Sequence, residues 1–95
     1  MPQREPVMLP AVEDVLAELR EYVAIPSDSR NASVATMRDA AEWIAARLAF
    51  AGARLEQTAG NPVVRADWLG AVGAPTVLIY GHYYVQPTGN LAEWP

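Results

Sequence analysis

The chain offers a single imidazole. His82 is the only histidine in 95 residues, and cysteine is absent. The lack of cysteine removes a thiol nucleophile, a thiolate metal site and a disulfide scaffold. His82 follows Gly81 and the apolar run Thr76 to Tyr80. In open α/β sheets, ligands bind beyond the carboxyl ends of strands. A histidine there is placed to serve as a metal ligand or a general base, although a lone histidine at a strand end also occurs with no role. Few other groups compete for chemistry. Glu56, Asp67 and Glu93 could offer oxygen ligands. Glu13, Asp14, Glu18 and Glu21 share one side of a helical pattern and read as a solvated face. Ser27 and Ser29 have no base nearby in sequence, so a serine nucleophile has no support. Tyr80, Tyr83 and Tyr84 could line an aromatic wall, but packed tyrosines with hydroxyls at a layer edge are the preferred reading. Strand alternation puts Tyr80 and His82 on one face and Tyr83 on the other.

The elements that must position these residues can be read from periodicity. Residues 1–10 contain three prolines and read as an irregular arm. From Ala11, the apolar residues Val12, Val15, Leu16, Leu19, Tyr22 and Val23 recur on one helical face. Pro26 ends that helix, because Ile25 before it is pushed out of the α region. A polar loop, Ser27 to Asn31, leads to a second helix over residues 32–51. Its stripe is Val34, Met37, Ala41, Ile44, Leu48 and Ala51, with Asn31 and Ser33 as cap candidates and Gly52 at its end. Arg38 and Glu42 are spaced to pair along it. Three strands are predicted next: Ala53 to Thr58, Val63 to Leu69 and Thr76 to Val85. Gly60-Asn61-Pro62 is a turn signal between the first two. The last opens with a continuous apolar run of the kind covered on both faces in a parallel sheet. Trp43 and Trp68 are expected in or beside the core, and Trp94 in a more open position. The fold class is α/β, with two helices followed by three strands in one domain over 1–95.

Composition narrows the function. The seven basic residues are all arginine and scattered, against eleven acidic ones, a net charge of −4. Nucleic-acid binding and polybasic membrane attachment both need clustered positive charge, so neither is expected. No apolar run reaches the ~18 residues of a membrane span, and the N-terminus lacks the apolar core of a signal peptide. The expected compartment is the cytoplasm. With 52% hydrophobic and 19% charged residues, the chain has a globular composition.

The segment Gly81-His82-Tyr83-Tyr84-Val85-Gln86-Pro87 resembles the GHYDVQP motif of zinc-dependent dipeptidases. These belong to the aminoacylase, carboxypeptidase and carnosine-dipeptidase family of metallopeptidases. The resemblance runs along the chain in the family's order. Leu19 to Ser27 looks like its first helix and stop, and Ala40 to Gly52 like its second helix. Gly60–Trp68 and Gly73–His82 look like its next strands, and Leu91 to Pro95 like the stretch after the motif.

The resemblance implies two zinc ions sharing a bridging carboxylate and water, with a glutamate as general base and a dipeptide as substrate. It makes His82 a metal-ligand position. It also implies an aspartate two residues on that orients the imidazole, and here that position holds Tyr84. A phenol is neutral near pH 7 and supplies no such charge. The family's other ligands lie beyond the position matching Pro95. The expectation is therefore a truncated, degenerate catalytic domain, with Tyr84 non-functional, His82 vestigial and zinc not held by this chain alone. Two helices can cover one face of the predicted sheet. The other face or an edge is expected to drive self-association, which gives a non-enzymatic module as the alternative reading.

Overall fold

The computed structural model describes residues 8–95. The irregular arm expected over 1–10 thus lies, for residues 1–7, outside the described residues. The α/β class holds: two helices precede a small antiparallel hairpin. Helix α1 spans Val12–Val23 and helix α2 spans Val34–Arg47. Strands β1 (Arg54–Glu56) and β2 (Val63–Arg65) follow, with single 3-10 turns at Ala49–Ala51 and Leu91–Glu93.

Both helices begin and end for local reasons. Glu13 and Asp14 occupy the first turn of α1, where the helix dipole favours negative charge. Its last carbonyls are met by the Ala24 and Ile25 amides before Pro26 stops it. At the start of α2, the Ser33 hydroxyl accepts from the Thr36 amide at 3.1 Å, so Ser33 rather than Asn31 is the cap. Asn31 instead donates to Asp28, whose carboxylate also accepts from the Arg30 amide and shapes the loop. These bonds, that of the Arg30 amide first, hold the Asp28 carboxyl below its ordinary pKa. Helix α2 is shorter than its predicted 32–51. It tightens into the 3-10 turn and is closed by Gly52, at φ 65° and ψ 37°. That left-handed conformation is strained for a residue with a Cβ. The predicted Arg38–Glu42 pair forms at 3.1 Å.

The core lies under α2. Met37, Ala40 and Ala41 are its buried apolar residues, with Ser27 and Pro62 buried beside them. The hairpin packs on this face of α2, pairing Arg54 with Arg65, Leu55 with Val64 and Glu56 with Val63. Two arginines facing across a ladder would repel. Glu56 and Asp67 offset this by lying within 3.6–3.8 Å of both guanidinium groups.

Three expectations are corrected. The apolar stripe of α1 is not buried, and the helix contributes nothing to the core. It meets α2 through a polar and aromatic contact instead. The Tyr22 and Trp43 rings lie 5.1 Å apart, and Arg47 sits 4.1 Å over the Trp43 ring. Arg47 donates to Glu18 at 3.0 Å, and the Trp43 indole donates to Glu21 at 2.9 Å. Glu18 and Glu21 are thus partners of α2 and not simply a solvated face. Second, Trp68 is 66% exposed, outside the core. It turns back over Gly70, where a Cβ would come within 2.8 Å of the ring. Third, the strand predicted over Thr76 to Val85 forms no ladder among the described residues. An apolar run becomes a strand only when a neighbour accepts its backbone bonds, and here only Val85 finds one. Its amide donates to the Ser27 carbonyl and its carbonyl accepts from the Ser29 amide, each at 3.1 Å.

The result is elongated, with extents of 58 × 36 × 19 Å and a radius of gyration of 17.1 Å. A compact domain of 100 residues has a radius of about 13 Å. No helix among the described residues is long and apolar enough to cross a membrane.

Candidate functional site

His82 lies on an extended segment that is fastened at one end. The fastening is the Val85 bridge to Ser27 and Ser29, where the loop after α1 meets the residues following the histidine. A second fastening is Tyr83, whose hydroxyl donates to the Pro62 carbonyl at 2.7 Å. This ties the segment to the residue immediately before β2. Between the segment, the hairpin and α2 runs an open groove of about 530 Å³. Met37, Ile44 and Val64 line one side of it, and Tyr80, His82 and Tyr84 the other.

Alternation places the side chains as the sequence predicts, even without a ladder. His82 is exposed, and Tyr80 and Tyr84 flank it. The Tyr80 ring meets the imidazole edge-on at 5.3 Å, and the Tyr84 ring lies tilted at 4.9 Å. Tyr83 points the other way, toward Pro62. The residue at position 84 is therefore in direct reach of the imidazole, as an orienting group must be. What it presents is an aromatic ring and a neutral hydroxyl.

Behind the segment lies a small polar cluster. Ser27 is fully buried. Its hydroxyl and that of Tyr22 are both enclosed without a hydrogen-bond partner among the described residues. Burial, the largest cause, pushes the Tyr22 phenol above its ordinary pKa. Burial likewise raises Tyr83. Tyr22 and Ser27 do not line the groove beside His82, whereas Tyr83 does.

The donor set does not amount to a metal centre. Catalytic zinc takes about three protein ligands and structural zinc four. Among the described residues, no group of three His, Cys, Asp or Glu is placed to hold a metal ion. Glu56 and Asp67 are engaged by Arg54 and Arg65 on the hairpin. Glu93 belongs to the separate turn at Leu91–Glu93, where the Trp94 indole donates to the Thr88 carbonyl. The described residues therefore do not fit zinc.

The sequence singles out His82 and Tyr84, and the structure brings their rings side by side. It missed the Tyr83–Pro62 bond, the Val85 bridge and the Arg47–Trp43 contact. The last had a signal in the i, i+4 spacing of Trp43 and Arg47 opposite a helix rich in glutamate. The first two join residues far apart in sequence and had none.

No family model matches the chain, and no solved structure matches it. Among curated proteins, the chain is 34% identical over 93 residues to a cysteinylglycine-S-conjugate dipeptidase of Corynebacterium striatum. The match covers 92% of this chain and 20% of that protein, so the chain spans one fifth of the length of the relative.

Proposed function

We propose that the chain derives from the catalytic domain of a zinc dipeptidase. In this reading His82 stands at a zinc-ligand position, and Tyr84 replaces the carboxylate that would orient it. The observation that carries the reading is the contact between the two side chains, 4.9 Å apart on one side of the segment. It supports the reading because position 84 touches the imidazole, within a chain similar along most of its length to part of a dipeptidase.

The same contact supports a loss of chemistry in the 95-residue chain. An orienting carboxylate fixes the imidazole by accepting its N–H and raises its basicity as a ligand. The Tyr84 ring packs against the imidazole and brings no charge. With one imidazole and, among the described residues, no cluster of acidic groups around it, the chain is inactive in dipeptide hydrolysis by itself.

Zinc titration followed by NMR of the sole histidine tests both parts. Binding to the chain as it stands is expected to be weak and far from stoichiometric. Tyr84→Asp is expected to tighten it by about 10–100-fold, the usual effect of gaining such a partner. Stoichiometric zinc or dipeptide hydrolysis in the unsubstituted chain refutes the inactive reading. A folded Tyr84→Asp chain with unchanged zinc affinity refutes the role assigned to position 84.

A further inference from the structure

The backbone hold on the His82 segment comes from two groups of one short loop, and Asp28 stands between them. The Ser27 carbonyl accepts from the Val85 amide, and the Ser29 amide donates to the Val85 carbonyl, each at 3.1 Å. Two such groups can hold one extended residue only while the backbone joining them keeps the direction of a parallel pairing. The Asp28 side chain bonds the continuation of its own loop. Its Oδ1 accepts from the Arg30 amide at 2.8 Å and lies 3.4 Å from the Asn31 amide, and its Oδ2 accepts from the Asn31 side chain at 3.1 Å. The Asp28 carbonyl accepts from the Ala32 amide at 2.9 Å. The carboxylate thus pins the backbone just after Ser29 and so aims the Ser29 amide. Bonds to an ionised acceptor are about twice as strong as neutral ones.

We propose that Asp28 is the latch of the His82 segment: its ionised carboxylate sets the Ser27–Ser29 backbone that grips Val85, and its protonation releases the segment while α2 stays folded. The same bonds, that of the Arg30 amide first, hold the carboxyl below its ordinary pKa. A lowered carboxyl confers its hold above the ordinary value of about 3.9 and loses it as pH falls through the folded value. Around the loop, Arg30 acts on the carboxyl directly and favours its charged form. Glu21 on α1 is taken by Trp43 and Arg47, and Arg38 on α2 by Glu42. The segment brings the His82 imidazole and the Tyr83 and Tyr84 phenols, and no carboxyl. The latch is independent of the dipeptidase reading.

Amide hydrogen exchange tests it. Val85 and Ser29 report the latch, and the Ala41 amide, in the middle of α2, reports unfolding of the whole chain. Protection is taken relative to an unstructured peptide at the same pH. As pH falls from neutral into the carboxyl range, protection at Val85 and Ser29 is expected to be lost before that at Ala41. Asp28→Ala removes both acceptors and is expected to lower protection at Val85 and Ser29 by about fivefold or more at neutral pH. Asp28→Asn keeps an oxygen for the Arg30 amide, and the Asn31 side-chain amide can turn over to accept from it. That variant is expected to stay within about threefold of the unsubstituted chain at neutral pH and to show no acid loss at Val85 and Ser29. The proposal is overturned by unchanged protection in Asp28→Ala, by an acid loss that persists in Asp28→Asn, or by Ala41 losing protection in step with Val85. Absence of protection at Val85 and Ser29 in the unsubstituted chain at neutral pH overturns it as well.

Discussion

Tyr83 holds the histidine segment against the hairpin, and Tyr83→Phe removes that hold while keeping the ring. The bond lost is 2.7 Å long and links residues on opposite sides of the groove. A neutral hydrogen bond contributes about 0.5–1.5 kcal/mol net, and a buried acceptor left without a partner costs about 1–3 kcal/mol. Pro62 is buried but Tyr83 only half so, and water can reach part of the vacated site. With water able to reach part of the site, the loss comes to about 1–2 kcal/mol. The other fastenings are the two backbone bonds of Val85 to Ser27 and Ser29. Local opening of the segment should therefore become easier by most of that amount. Amide hydrogen exchange at Val85 and Ser29 reads it directly, and a change of this size speeds exchange by about 5–30-fold. Tyr80→Phe, at a side chain 80% exposed, is the control and should leave both amides unchanged. Unchanged exchange in Tyr83→Phe would show that the backbone bridge alone holds the segment and that Tyr83 does not position His82.

Two further outcomes test the packing and the titrating groups. Met37 is 3% exposed beside the buried Ala40 and Ala41, so Met37→Ala should cost at least about 2 kcal/mol in urea unfolding; a loss under about 1 kcal/mol would contradict the burial. Tyr22 and Tyr83 have raised pKa values, so the stability they confer is present below the ordinary tyrosine pKa of about 10 and is lost as pH rises through their folded values. Asp28 is lowered, so its contribution is present above the ordinary carboxylate pKa of about 3.9 and is lost as pH falls through its folded value. Melting temperature should therefore fall at both ends of the pH range. The alkaline fall should shrink in the Tyr22→Phe, Tyr83→Phe double variant, and the acid fall in Asp28→Asn.

The legible parts of this fold were those fixed by neighbours in sequence. The 3.6-residue period of α1, the Pro26 stop, the Gly52 close and the Arg38–Glu42 pair all depend on residues a few positions apart. The alternation of Tyr80, His82 and Tyr83 was legible for the same reason, because an extended backbone imposes it whether or not a ladder forms. What was not legible depended on distant partners. Periodicity marks an apolar face without saying what buries it, and Val15 and Leu19 on that face stand exposed. The apolar run at Thr76–Tyr80 read as a covered strand because its composition is that of one.

These two mismatches have one physical cause. A helix stripe and a strand apolar on both faces each require another layer, and the described residues supply buried cover to α2 alone. The radius of gyration of 17.1 Å, against about 13 Å for a compact chain of similar length, is the geometric expression of that shortfall.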